Sequence, residues 1–160
     1  MAEIIKALIP PYKIERYLEG VVDVEDDEWH IRRLNATREI WADIGPSAIA
    51  LNTGYCDEAL IKYELWQGEP PASDWDERRS GSVHLVSGKI YAISCHSGEM
   101  TYGEEFDLGR RDHEWRFRAH RMFLSHEDFT TDIISLVLFK LQFWSPADAV
   151  RSSSEKEPTA

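Results

Sequence analysis

Long apolar runs are missing from this chain: no stretch approaches the ~20 consecutive apolar residues that a membrane-spanning helix needs. Cysteine is scarce as well, with only Cys56 and Cys95. Neither belongs to a C-x-x-C pair, nothing argues for a disulfide between them, and both read as small hydrophobes of a reducing compartment. Positive charge is in deficit, 18 bases against 29 acids for a net charge of -11. Such a chain is repelled by duplex DNA and anionic membranes and attracted to basic proteins. The motifs of familiar chemistry are missing too. There is no H-x-H, no H-E-x-x-H, no G-x-S-x-G elbow and no phosphate-binding glycine loop. Residues 1–9 carry Glu3 and too short an apolar run before Pro10-Pro11 for a secretory signal. The expectation is a cytoplasmic protein without cofactor or metal, touching neither nucleic acid nor membrane directly.

What is present is β-forming sequence. Residues 133–144, IISLVLFKLQFW, place Ile133, Ser135, Val137, Phe139, Leu141 and Phe143 on one face. The opposite face turns polar at Lys140 and Gln142, and Ser145-Pro146 ends the run. Residues 113–122 alternate as sharply, with Trp115, Phe117 and Ala119 inward and Glu114, Arg116, Arg118 and His120 outward. Residues 58–66 and 47–52 read as further strands, and 17–24 as one with Gly20 at a bulge. Residues 81–86 and 90–95, joined by Ser87-Gly88-Lys89, read as a hairpin. Residues 96–103 read as a turn region and 105–108 as a short strand. Residues 2–9 suit a short strand or one helical turn. Residues 30–43 fit either spacing, with strand preferred.

Short strands at about ten-residue intervals with no long helix predict an all-β fold, an antiparallel sandwich or alternatively a flattened barrel. At most one short helix is expected, in the first 58 residues. Residues 1–148 are expected to form a single domain and 149–160 a disordered tail, since RSSSEKEPTA offers nothing to bury.

Candidate chemistry is sparse. Cys95 and His96 are neighbours on a strand and point to opposite faces, which argues against a thiolate pair, so no catalytic residue is assigned. His84 and His96 could meet only if the hairpin forms. Two constellations stand out. Arg110, Arg111, Arg116, Arg118 and Arg121 put five arginines into twelve residues. Of the outward-facing set, Arg116, Arg118 and His120 would suit an anion, or would balance acids such as Glu64 across the sheet. The second is Trp75 among Asp74, Asp76 and Glu77, an aromatic ringed by carboxylates that would suit docking to a basic protein. The acidic run 23–28 reads as a solvated loop.

The segments ALIKYELW, GEPPASDWDE, GSVHLVSGKIYAIS, HEWRFRAHR and LQFWSP, between residues 59 and 146, resemble a loosely defined group of β-rich bacterial proteins. Their order, with the D-W-x-E stretch before a strand, is similar to that of the small inhibitor paired with the DNA-entry nuclease of bacterial competence. The resemblance implies a non-catalytic inhibitor or immunity protein that neutralises a basic nuclease or toxin by contact. The alternative from the residues is a small β-barrel binder or enzyme taking an anionic small molecule on the Arg116, Arg118 and His120 face.

Overall fold

The computed structural model describes residues 2–15, 17–26, 29–75, 77–124 and 136–147. Two sheets face each other. The first holds β1 (Glu3–Leu8), β2 (Ile14–Glu15), β6 (Glu58–Gln67), β7 (Glu77–Leu85), β11 (His113–Leu124) and β12 (Leu136–Trp144), in the order β1-β6-β12-β11-β7 with β2 also on β6. The second holds β3 (Leu18–Asp23), β4 (Ala42–Ile44), β5 (Ala48–Leu51), β8 (Lys89–His96), β9 (Glu99–Tyr102) and β10 (Phe106–Asp107), in the order β10-β8-β3-β5-β4 with β9 also on β8. All pairings are antiparallel except β6 with β12, and among the described residues the sheets do not close into a barrel.

The alternation in the sequence builds the core directly. Ile61 and Tyr63 of β6, Phe139, Leu141 and Phe143 of β12, and Trp115 and Phe117 of β11 point to the second sheet and are almost wholly buried. That sheet answers with Val21, Ile49, Leu51, Ile90 and Phe106. Its far face is covered in turn: Val22, Ala48, Ala50 and Ile93 pack with Ile31, from a single helical turn α1 (Trp29–Arg32). Residues 30–43 thus begin in a helical turn and reach strand conformation only at β4. The helical turn gains from seating Ile31 on the sheet, and tertiary contact of this kind decides a short ambiguous stretch.

Gly20 sits at the bulge expected of it, where the register of β3 against β8 shifts. Its φ is 149°, and a Cβ there would lie 2.1 Å from the Ile49 carbonyl oxygen. The expected turn at 96–103 contains β9, joined to β8 through Ser97 and Gly98 with φ of 52° and 83°. Two left-handed residues in succession match the twist of a tight hairpin.

The hairpin expected from 81–95 does not form. β7 pairs with β11 in the first sheet while β8 pairs with β3 in the second, so Val86, Ser87 and Gly88 carry the chain between sheets. Buried Asp23 explains the corner. Its carboxylate accepts hydrogen bonds from the Val86 amide at 2.6 Å, the Ser87 amide and the Ser87 hydroxyl. A residue from the acidic run read as solvated is therefore the pin of the crossover. His84 and His96 consequently lie in different sheets, and His84 meets Asp112 at 2.7 Å instead. The expected strand residues 133–135, the crossing at 125–128 and the tail 149–160 lie outside the described residues.

Candidate protein-docking site

The two constellations singled out in the sequence meet. Residues 69–75, between β6 and β7, lie over the outward face of β11 and β12. Arg118 donates from Nη1 to the Pro70 carbonyl at 3.0 Å and from Nη2 to Glu69 Oε1 at 3.1 Å, with its guanidinium 5.7 Å from the Trp144 ring centre. Lys140 donates to Ser73 Oγ at 2.7 Å and stands 4.9 Å from the Trp75 ring centre. Trp75 meets His120 edge-on, ring centres 6.0 Å apart. Trp75 is half-buried and fastens the loop, while Asp74 beside it is exposed. Asp76 lies outside the described residues. Glu77 begins β7 and takes Arg121 in a two-pronged contact, Nε to Oε2 at 2.7 Å and Nη2 to Oε1 at 3.0 Å.

Of the proposed anion-binding trio, only Arg116 is exposed. His120 is fully buried within a polar row that crosses three strands. Trp66 Nε1 and Gln142 Nε2 both donate to Glu64 Oε1 at 2.9 Å, and Lys62 holds Oε2 at 2.9 Å. With the Gln142 amide nitrogen committed to Glu64, its carbonyl faces His120 Nε2 at 3.1 Å, so that nitrogen carries the proton. Burial, with Lys140, Arg118 and Arg78 nearby, lowers the His120 pKa to about 4 although Glu64 pulls the other way. Burial pushes the Glu64 carboxyl up, but hydrogen bonds from Gln142, Lys62 and Trp66 outweigh it and the net direction is down. This face holds a neutral imidazole between cations and a carboxylate, under a lid made by its own chain.

Arg121 is the one cation on the inner side of β11. It is 4% exposed and donates to the carbonyls of Asn52 and Arg38 as well as to Glu77, while its guanidinium lies 5.2 Å from the Trp41 ring centre. It ties the first sheet to the segment around β4 and β5. Elsewhere Arg111 pairs with Glu25 at 2.8 Å. The Arg-rich stretch is thus largely absorbed by internal partners, though Glu25, Glu69 and Glu77, and not Glu64, supply the carboxylates.

A second feature has no counterpart in the sequence reading. β1 and β2 lie end to end along one edge of β6, separated by Pro10-Pro11, and β9 and β10 do the same along β8. Where β1 meets β10 the sandwich is stitched shut: Lys6 Nζ donates to the Asp107 carbonyl at 3.0 Å and lies over Phe106. Where β2 faces β9 the sheets part, leaving a groove of about 1030 Å³. Ile61, Tyr63, Ala92 and Ser94 floor it. Tyr12 and Tyr102 stand on its rim, 83% and 48% exposed. No cluster of three or more potential metal ligands occurs among the described residues.

No protein-family model matches the sequence, and no curated protein sequence matches it. Among solved structures, the chain is similar to ComJ from Bacillus subtilis, described as an inhibitor of the DNA degrading activity of NucA. The TM-score is 0.59 at 12% identity, over 91% of this chain and 98% of that one. A protein described as Crocagin biosynthetic gene J aligns at TM-score 0.43 and 12% identity, over 89% and 99% of the two chains. At such identity the likeness to ComJ is one of fold. The two-sheet architecture found here is the one that the nuclease inhibitor also has, in line with the resemblance carried by the motifs between residues 59 and 146.

Proposed function

We propose that this chain is a non-catalytic cytoplasmic binding protein that neutralises a basic partner, a nuclease or toxin, by protein–protein contact. The observation that carries the reading is the fold shared with a nuclease inhibitor along nearly the whole of both chains. A fold alone transfers no activity. The physical support comes from the net charge of -11, which speeds encounter with a cationic surface and penalises nucleic acid as a competing ligand. On this reading the surface around Asp74 and Trp75 meets the partner: Trp75 is anchored by His120 and Lys140, Glu77 by Arg121, and Asp74 faces the partner. A preorganised loop loses little entropy on docking.

The test is titration of the purified full chain into activity assays of basic nucleases and toxins encoded beside its gene. Stoichiometric inhibition that weakens steeply with added salt is expected, because exposed charges are screened over about 10 Å at 0.1 M salt. Absence of both inhibition and association at low salt overturns the reading.

A further inference from the structure

We propose that the groove between β2 and β9 is the seat for an extended, lysine- or arginine-bearing segment of the partner. The inference rests on the reading that the partner is basic, and it names the surface that would hold it, which shares no residue with the Asp74–Glu77 loop.

Three independent features converge. The first is shape. The groove is the unclosed half of a sandwich edge whose other half is stitched by Lys6 to Asp107. Its floor is the apolar interior itself, Ile61 and Ala92 from facing sheets. The second is backbone. β2 pairs only with β6 and β9 only with β8, so among the described residues each keeps an unpaired strand edge beside the groove. An extended chain can complete such an edge with main-chain hydrogen bonds. The third is charge. Among the described residues, Glu15, Asp57, Glu58 and Glu104 line the groove with one lysine, Lys13, which Glu58 holds at 2.7 Å, and with His96. Tyr12 and Tyr102 supply aromatic faces for the cations and stems of lysine or arginine.

Tyr63 on the floor adds a polar group. It is 1% exposed and lines the groove. Burial, reinforced by the charge of Glu104, raises its pKa, so the hydroxyl stays protonated and can donate to a ligand carbonyl.

The experiment uses the full chain, isotope-labelled for NMR, with a nine-residue peptide of alternating lysine and valine and an analogue with glutamine for lysine. The expected result is salt-sensitive binding of the cationic peptide with shifts concentrated at residues 12–15 and 101–104. The double variant Glu15→Lys/Glu104→Lys should bind about tenfold more weakly, while Glu114→Lys, exposed and away from the groove, should bind as the parent does. Thermal denaturation confirms that both variants are folded. No binding, equal binding of the neutral analogue, or shifts confined to other surfaces overturns the inference. Its failure is separable from that of the function. A partner inhibited equally by the parent and the groove variant sinks the groove and spares the binding role. Cationic peptide seated in the groove with no basic partner inhibited does the reverse.

Discussion

The outer face of β11 and β12 and the groove between β2 and β9 are both rich in charge and aromatic rings, but only one of them is open. Over the first lies a loop that consumes what it covers: Arg118 is held by Pro70 and Glu69, Lys140 by Ser73, and His120 is sealed beneath Trp75. At the second, among the described residues, four carboxylates line the groove with Lys13 and His96, and two tyrosines stand on the rim. Whether a cluster of charges is available to a partner is decided by what folds across it, and that depends on strands far away in sequence. The same residue types serve cohesion in one place and recognition in the other.

Substitutions should therefore separate the two regions. Arg121→Met removes the buried cation shared by Glu77, Asn52 and Arg38. It should cost about 3 kcal/mol in urea denaturation while leaving groove binding of the cationic peptide unchanged in the folded fraction. A loss below ~1 kcal/mol would mean that the inner clamp is idle.

The next effect is one of pH. His120 has a depressed pKa in the folded chain, about 4 against 6.5 for the free side chain. Between these values the unfolded chain takes up a proton that the folded one refuses. Stability should therefore fall, by about 2 kcal/mol, as pH drops from about 6.5 to about 4. His120→Gln should flatten that part of the pH profile, and an unchanged slope would show that the imidazole is not sealed.

Trp75→Ala should cost about 1 kcal/mol and quicken amide exchange across residues 69–75, since it removes the contacts with His120 and Lys140. Glu104→Gln, on the open rim, should change stability by less than ~0.5 kcal/mol and be visible only in ligand binding. A larger stability loss there would blur the distinction between the two regions.

Sequence and structure agree wherever the governing signal is local. The two-residue period of 113–122 and 136–144 specifies strands and their inward faces, because burying one side of a pleat demands it. Gly20 is legible as a bulge for the same reason. Partner choice is another matter. Residues 81–95 have the pattern and the short glycine-containing link of a hairpin. What separates β7 from β8 is Asp23, some 60 positions earlier, capturing the amides at the corner. Nothing in an acidic run distinguishes the one carboxylate that goes inside. The Trp75 loop was recognisable as a site of interest, but the sequence does not say that the chain's own arginine row lies underneath. The groove was invisible, since it needs Pro10-Pro11 to interrupt one sheet edge and the β9–β10 break to interrupt the edge opposite. Each interruption alone reads as an ordinary turn.

The parallel pairing of β12 with β6 constrains how this architecture comes into being. β12 lies between β6 and β11, yet the ribosome makes it after both. Until residues 136–144 emerge, two long strands with bare, apolar-flanked edges wait for the slat that joins them. Sheet completion is accordingly a late event that closes a long loop, from Glu58 to Leu136, which marks the protein as a slow folder whose half-made intermediates are prone to stick to one another.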